Sequence, residues 1–523
     1  MKRSLPFRFT QNCIHVILIA IAALFISCSS KEAAGPEGRV EFTLVQLNDI
    51  YEIGTLENGK FGGMARATTL IRQLEKENPN TFVLVAGDFL SPSVIGTVKL
   101  NGKRVAGAHM VDVMNAMGVD YVTFGNHEFD IKEDELQERI NESKFEWIAS
   151  NTKHVVNGKA VAFARTGSSA IDTFPEYAIL LLKNAASKQI RVGMLGLTIN
   201  SNRANFVQYE DQNVNGLRQY QSIKERCDAI IAITHLTIDQ DKELAKEIPG
   251  IRLLIGGHEH NNMKYEVGNT IIAKADANAR TVYIHRCAYD LRAKTLSIQS
   301  ELKTIDESIP EDAAVAAVVA SWTNRALEGF RALGFEPTEV VATVSTPLDG
   351  IENHIRTAQT NLGDFITQSM LAAIPDADAA IMNSGSVRID DEVQGKITQY
   401  DIIRILPFGG KILRVEMKGN LLQKILETGL LNKGSGGFLQ TANIEYNSAM
   451  KRWSIKQASI NPQATYRLAM NDFLFTGLEA NLEFLTRTNP DIISVREPEA
   501  GNPNDLAKDL RLALIDLMKK KFR

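Results

Sequence analysis

Five short polar blocks hold the residues with chemistry to offer: Asn48-Asp49-Ile50-Tyr51, Gly87-Asp88, Gly125-Asn126-His127-Glu128-Phe129-Asp130, Thr234-His235 and Gly256-Gly257-His258-Glu259-His260. Each follows or ends a short apolar run, such as Val119 to Phe124 before the third block. Asp, Asn and His are hard-to-borderline ligands suited to divalent transition ions. In this order the blocks predict a two-metal hydrolase site, in which ions about 3.5–4 Å apart clamp an in-line displacement at phosphorus.

A carboxylate shared by both ions is the simplest way to hold them together. Asp88 is the expected bridge, because Gly87 before it lets the backbone turn tightly. Asp49 and His260 are expected to complete one ion's shell, and Asn126, His235 and His258 the other. His127, beside a ligand but not needed as one, is expected to offset charge developing on a phosphoryl group. Asp130 is placed to orient that imidazole and raise its pKa. The expected nucleophile is a metal-activated water, since no Ser, Cys or Lys block offers a convincing alternative. A lone strand-end Asp or Asn is usually a turn or cap, so the grouping carries the reading. His109, His154, His285 and His354 lack such context and read as structural or surface histidines.

The blocks need a scaffold that brings strand ends together. Val40 to Leu47, Thr81 to Ala86, Asp228 to Ile233 and Ile251 to Ile255 read as strands. Gly62 to Glu77 and Val105 to Met117 carry apolar residues at helical spacing. Such alternation predicts an α/β layered domain, whose ligands lie beyond the carboxyl ends of the strands. All five blocks occupy that position. A helix from Glu311 to Leu333 reads as an interdomain connector. Beyond it come a helix at Leu362 to Ala373, a strand before Asn383 and a hairpin-like passage around Gly409-Gly410.

At 523 residues the chain is too long for one ordinary domain. Its 44% hydrophobic and 23% charged residues are those of a globular protein. A formal charge of −4 argues against a nucleic-acid polymer as partner. Lys2, Arg3 and Arg8 precede the apolar run Ile14 to Ile26, the pattern of a secretory signal over residues 1–27. Cys28, directly after Ser27, resembles a bacterial lipoprotein cleavage site, which predicts export to the periplasm or cell envelope with a lipid anchor in the membrane. Cleavage there takes the charge from −4 to −7 and leaves Cys227 and Cys287, either free or bridged.

The ordered series Asn-Asp, Gly-Asp, Gly-Asn-His-Glu-x-x-Asp, Thr-His, Gly-Gly-His-x-His resembles the calcineurin-like metallophosphoesterases, and more closely the 5′-nucleotidase family. The resemblance implies a four-layer αββα metallophosphoesterase domain followed by a smaller α/β substrate-binding domain. It divides the chain into a tether at 28–39, a metal domain at 40–305, a linker helix at 306–337 and a substrate domain at 338–523. It also implies two divalent ions (Zn, Mn, Co or Fe) and hydrolysis of a small nucleotide or phosphate ester. Asn383-Ser384-Gly385-Ser386-Val387-Arg388 is similar to the family's substrate loop, giving Asn383 and Arg388 roles at the phosphate or nucleoside. Phe408 and Phe473 match the segments that sandwich a base, and Arg356 is a further phosphate contact. The chain departs from the family pattern twice. Tyr51 stands where a His is usual, and Glu479, in Thr476-Gly477-Leu478-Glu479-Ala480, is the one carboxylate able to replace the usual ribose-binding Asp. The rival readings are a cyclic-nucleotide phosphodiesterase or nucleotide-sugar diphosphate hydrolase, and a non-catalytic nucleotide-binding module.

Overall fold

A computed structural model describes residues 36–167, 171–202, 204–499, 501–502 and 504–522. The expected signal segment, Cys28 and the tether up to residue 35 lie outside the described residues. Arg39, read as the end of the tether, is instead the first residue of the strand Arg39–Leu47, paired with Asp290.

Two six-stranded sheets form the centre of the amino-terminal part. In the first, Arg39–Leu47, Thr81–Ala86, Tyr121–Thr123 and Glu146–Trp147 run parallel, and Thr281–Asp290 and Thr295–Thr304 add antiparallel strands at one edge. In the second, Gln189–Thr198, Ala229–His235, Ile251–Gly256 and Thr270–Lys274 run parallel between antiparallel edge strands. Successive strand residues point to opposite faces, and the sequence uses both. Val40, Phe42 and Leu44 meet Val192, Met194, Ile231 and Ile233 between the sheets. Val45, Leu47, Val83 and Val85 pack outward against Met64–Glu77 and Ala108–Met117. Leu197, Ala232 and Leu254 pack outward against Gln212–Ile223 and Ile238–Glu247. The result is the expected αββα order. Each fully buried aliphatic side chain in these layers contributes on the order of 1.5–3 kcal/mol.

The long helix Ala313–Ala332, expected as the interdomain connector, is packed rather than free-standing. It lies on the first helical layer, where Trp322 Nε1 donates to Asp112 at 3.0 Å. The carboxy-terminal part is built on a five-stranded sheet, in which Ala379–Asn383 runs parallel to Thr465–Asn471. The helix Gly419–Leu431 covers one face and Asn361–Ala373 with Leu510–Lys521 the other. The passage at Gly409-Gly410 is not a hairpin but the loop from the helix Gln399–Ile405 to the strand Ile412–Lys418. Both glycines have positive φ, 61° and 106°. A side chain on Gly409 would meet the Arg511 guanidinium at 2.7 Å, and with a helix before the loop no cross-strand pairing closes the turn. Cys227 and Cys287 are free.

Candidate active site

The parallel register brings the blocks together. Leu47 pairs with Val85 and Ala86 with Thr123, so Asp49, Asp88 and Asn126 follow at one edge of the first sheet. Thr198 pairs with His235 and Thr234 with Gly256, which places His235 and His258 at the same edge of the second. Hydrogen bonds clamp the two edges: His235 Nδ1 to the Ala86 carbonyl at 2.8 Å, Thr198 Oγ1 to the Phe124 carbonyl at 2.6 Å.

Asp49 and Asp88 both sit in the left-handed region, at φ 51° and 56°. Few non-glycine residues adopt it, and Asp is among those that tolerate it. Gly125 is required for a different reason: a Cβ there would lie 2.1 Å from Asp88 Oδ1. Candidate ligand atoms of Asp49, Asp88 and His235 lie within 4.8 Å of one another. His260 Nε2 is 3.6 Å from Asp49 Oδ1, and the His258 amide donates to Asp49 Oδ2 at 2.9 Å, its ring 5.3 Å from that of His235.

The donor set fits divalent ions. Among the described residues Asn126 Oδ1 is buried without a hydrogen-bond partner, and the buried His235 Nε2 lies 3.1 Å from Asp88 Oδ2. Leaving such an oxygen unpaired costs about 1–3 kcal/mol, a penalty that coordination removes. Burial pushes the Asp49 carboxyl up and the His258 imidazole down to about 3. Burial opposes charge on His235 and His260 as well, but carboxylates outweigh it and lift them to about 9 and about 10. The carboxylates that raise these two imidazoles favour a bound cation in the same way.

His127 is brought against this cluster. Its amide donates to Asp88 Oδ1 at 2.8 Å and its Nδ1 lies 2.6 Å from Asp130 Oδ2. Burial lowers the His127 pKa, and Asp88 with Asp130 more than reverse this.

Several residues were not singled out by sequence reasoning. Glu128 accepts from the amides of Asp88, Phe89, Leu90 and Gly125 at 2.8, 2.7, 3.1 and 2.6 Å, fixing the loops that carry Asp88 and Asn126. Its position inside the third block was the available signal. The fully buried Lys274 donates to the Leu236 and Gly257 carbonyls at 2.6 and 2.8 Å, tying the two histidine loops, and pairs with Asp241 and Glu259. Asn202, after a strand end, donates to the Asn126 carbonyl and to Asp130 Oδ1 at 2.9 and 2.8 Å.

The carboxy-terminal candidates gather around a cleft of about 800 Å³ lined by Asp130, Asn383, Arg388, Phe408, Phe473 and Glu479, among others. That volume is typical of small-molecule sites. Phe408 and Phe473 are 54% and 39% exposed, high for large aromatics and suited to an incoming ring. Asn383 donates to Glu479 Oε2 at 2.8 Å, so the replacement carboxylate is already engaged. Arg356 is outside the cleft lining and pairs with Glu352 at 2.5 Å. Among the described residues, no helix is long and apolar enough to cross a membrane.

Buried carboxylates and imidazoles at the carboxyl edges of two facing sheets define a metal-dependent phosphoester hydrolase. Residues 42–262 match the calcineurin-like phosphoesterases and residues 340–485 match the 5′-nucleotidase C-terminal domain. The chain therefore belongs to the 5′-nucleotidase family of metallophosphoesterases. It is 28% identical over 494 residues to the trifunctional nucleotide phosphoesterase protein YfkN of Bacillus subtilis, covering 84% of this chain but only 32% of that protein. Thus it spans about a third of that relative's length. It is 25% identical over 457 residues to the 5′-nucleotidase of Homo sapiens, covering 78% of this chain and 75% of that one. The structure of a 5′-nucleotidase precursor from Thermus thermophilus shares the fold, with a TM-score of 0.73 at 21% identity, covering 92% of this chain and 97% of that one.

Proposed function

We propose that this chain is an exported two-metal phosphomonoesterase that releases phosphate from nucleoside 5′-monophosphates by in-line attack of water. The observation that carries this reading is the shared wall between two cavities. Arg388 lines both the aromatic cleft and the space beside Tyr51, His127 and His260. A base held at Phe408 and Phe473 thereby directs its phosphate toward the carboxylate–imidazole cluster.

Asp49, Asp88 and His260 would hold one divalent ion, and Asp88, Asn126, His235 and His258 the other. Such a pair supplies Lewis acidity and a charge clamp for both the attacking and the leaving oxygen. The chain's own side chains do the remaining work. His127, braced by Asp130, offsets charge on the phosphoryl oxygens. Arg388 and Asn383 orient the substrate, and Glu128 and Lys274 keep the ligand loops in register. Residues 40–305 form the catalytic domain and 338–523 the substrate domain in this reading, with 306–337 between them. Export to the periplasm or cell envelope and lipidation at Cys28 rest on the amino-terminal sequence alone.

The test is phosphate release by metal-reconstituted protein across nucleoside monophosphates, cyclic nucleotides, nucleotide sugars and phenyl phosphate. Nucleoside monophosphates are expected to give the highest kcat/KM. Asp88→Asn is expected to lose at least about 10³-fold in rate, or roughly 4 kcal/mol of barrier, while staying folded. Retained activity in that variant at matched metal content would overturn the two-metal reading.

A further inference from the structure

His260 is held from both sides. Its Nε2 faces the Tyr51 hydroxyl at 3.1 Å and Asp49 Oδ1 at 3.6 Å. Its Nδ1 lies 3.0 Å from Asp390 Oδ2, a carboxylate 130 residues away in the other domain. Glu352 is farther, at 3.5 Å, and its amide donates to Asp390 Oδ1 at 2.8 Å, so it steadies Asp390. Asp390 is therefore oriented by its own domain and presented to a histidine of the first.

We propose that Asp390 is a positioning residue for the first ion, delivered across the domain interface. By accepting the Nδ1 proton of His260 it selects the tautomer whose Nε2 lone pair faces Asp49. This inference rests on the two-metal reading above. Histidine ligands usually donate their second ring N–H to such an acceptor, which fixes the ring and raises its basicity. Here the acceptor is present only when the two domains are packed together. Ion binding at His260 and domain packing must then favour each other by the same factor. The segment also carries Arg388, two residues before Asp390, which lines the substrate cleft. Asp391 anchors it through Arg404 at 3.1 Å, and Arg404 reaches Glu52, beside Tyr51, at 3.5 Å. Substrate contact and metal-ligand brace thus move as one short segment.

Titration calorimetry with Mn²⁺ on the full chain tests this. Wild type is expected to bind two ions. Asp390→Ala should weaken one of them about 10–100-fold and leave the other unchanged, with kcat recovering at saturating Mn²⁺. Asp390→Asn, which keeps an acceptor oxygen and the backbone contact to Glu352, should recover most of the affinity and serves if the alanine variant does not fold. Glu352→Gln should have the smaller effect. Two ions bound equally by wild type and Asp390→Ala, or a larger loss in Glu352→Gln, would overturn the role of Asp390 alone. Fewer than two ions bound by wild type would overturn the two-metal reading and this inference with it.

Discussion

His127 Nδ1 and Asp130 Oδ2 lie 2.6 Å apart, and the other Asp130 oxygen is anchored by Asn202 at 2.8 Å. The imidazole is thereby oriented by a brace three residues away, and among the described residues its Nε2 has no hydrogen-bond partner. His127→Ala is expected to lower kcat by about 10²–10³ with both ions retained. Asp130→Asn should act in the same direction with a smaller loss. Measuring kcat beside metal content checks both. Wild-type turnover in His127→Ala would remove that residue from the mechanism.

Tyr51 makes the site unlike the family pattern. Its hydroxyl is 3.2 Å from Asp88 Oδ2 and 3.4 Å from Asp49 Oδ1. Burial, then Asp88 and Asp49, push its pKa well above the ordinary 10, which favours a neutral hydrogen-bonding phenol. Tyr51→Phe is expected to keep both ions and most of the activity. A visible absorption band in the wild type that disappears in this variant would instead make Tyr51 a phenolate ligand.

Phe408 and Phe473 should set the preference for a base. Aromatic stacking contributes on the order of 1–3 kcal/mol per base. Phe408→Ala is therefore expected to raise KM for nucleoside monophosphates by about 5–150-fold while changing phenyl phosphate much less. Equal losses on the two substrates would show that Phe408 only packs the loop.

Acid stability should depend on a histidine remote from the cluster. His109 is buried, with Nε2 2.9 Å from Ser93 Oγ and Nδ1 without a hydrogen-bond partner among the described residues. Burial, helped by Arg139, pushes its pKa from 6.5 to about 3. The unfolded chain takes up this proton near pH 6.5 and the folded one only near 3. The stabilisation is thus present above 6.5 and lost as pH falls toward 3, at about 1.4 kcal/mol per unit. Urea midpoints for wild type and His109→Gln between about pH 7 and 4.5 should converge as pH falls. Parallel curves would show that His109 does not carry this dependence.

What the amino-acid sequence determined was an α/β layered class, whose four-layer αββα order only the family resemblance implied, and the strand ends at which Asp49, Asp88, Asn126, His235, His258 and His260 converge. A parallel sheet places whatever follows each strand at one edge, so strand periodicity and block order carried that information before any contact was known. The Gly409-Gly410 passage reads as a hairpin because paired glycines mark hairpins and other turns alike, and only the helix Gln399–Ile405 before it shows that no second strand flanks the turn. The helix Ala313–Ala332 reads as a connector, and its pattern does not reveal that the first helical layer covers its apolar face. Tertiary structure alone decided the braces: Glu128 under two loops, Lys274 between two carbonyls, and Asp390 on His260. Each depends on side-chain direction and a separation of a few ångströms between residues distant in the chain. Asp390 and His260 are 130 residues apart, and no periodicity in the sequence encodes a hydrogen bond across that span.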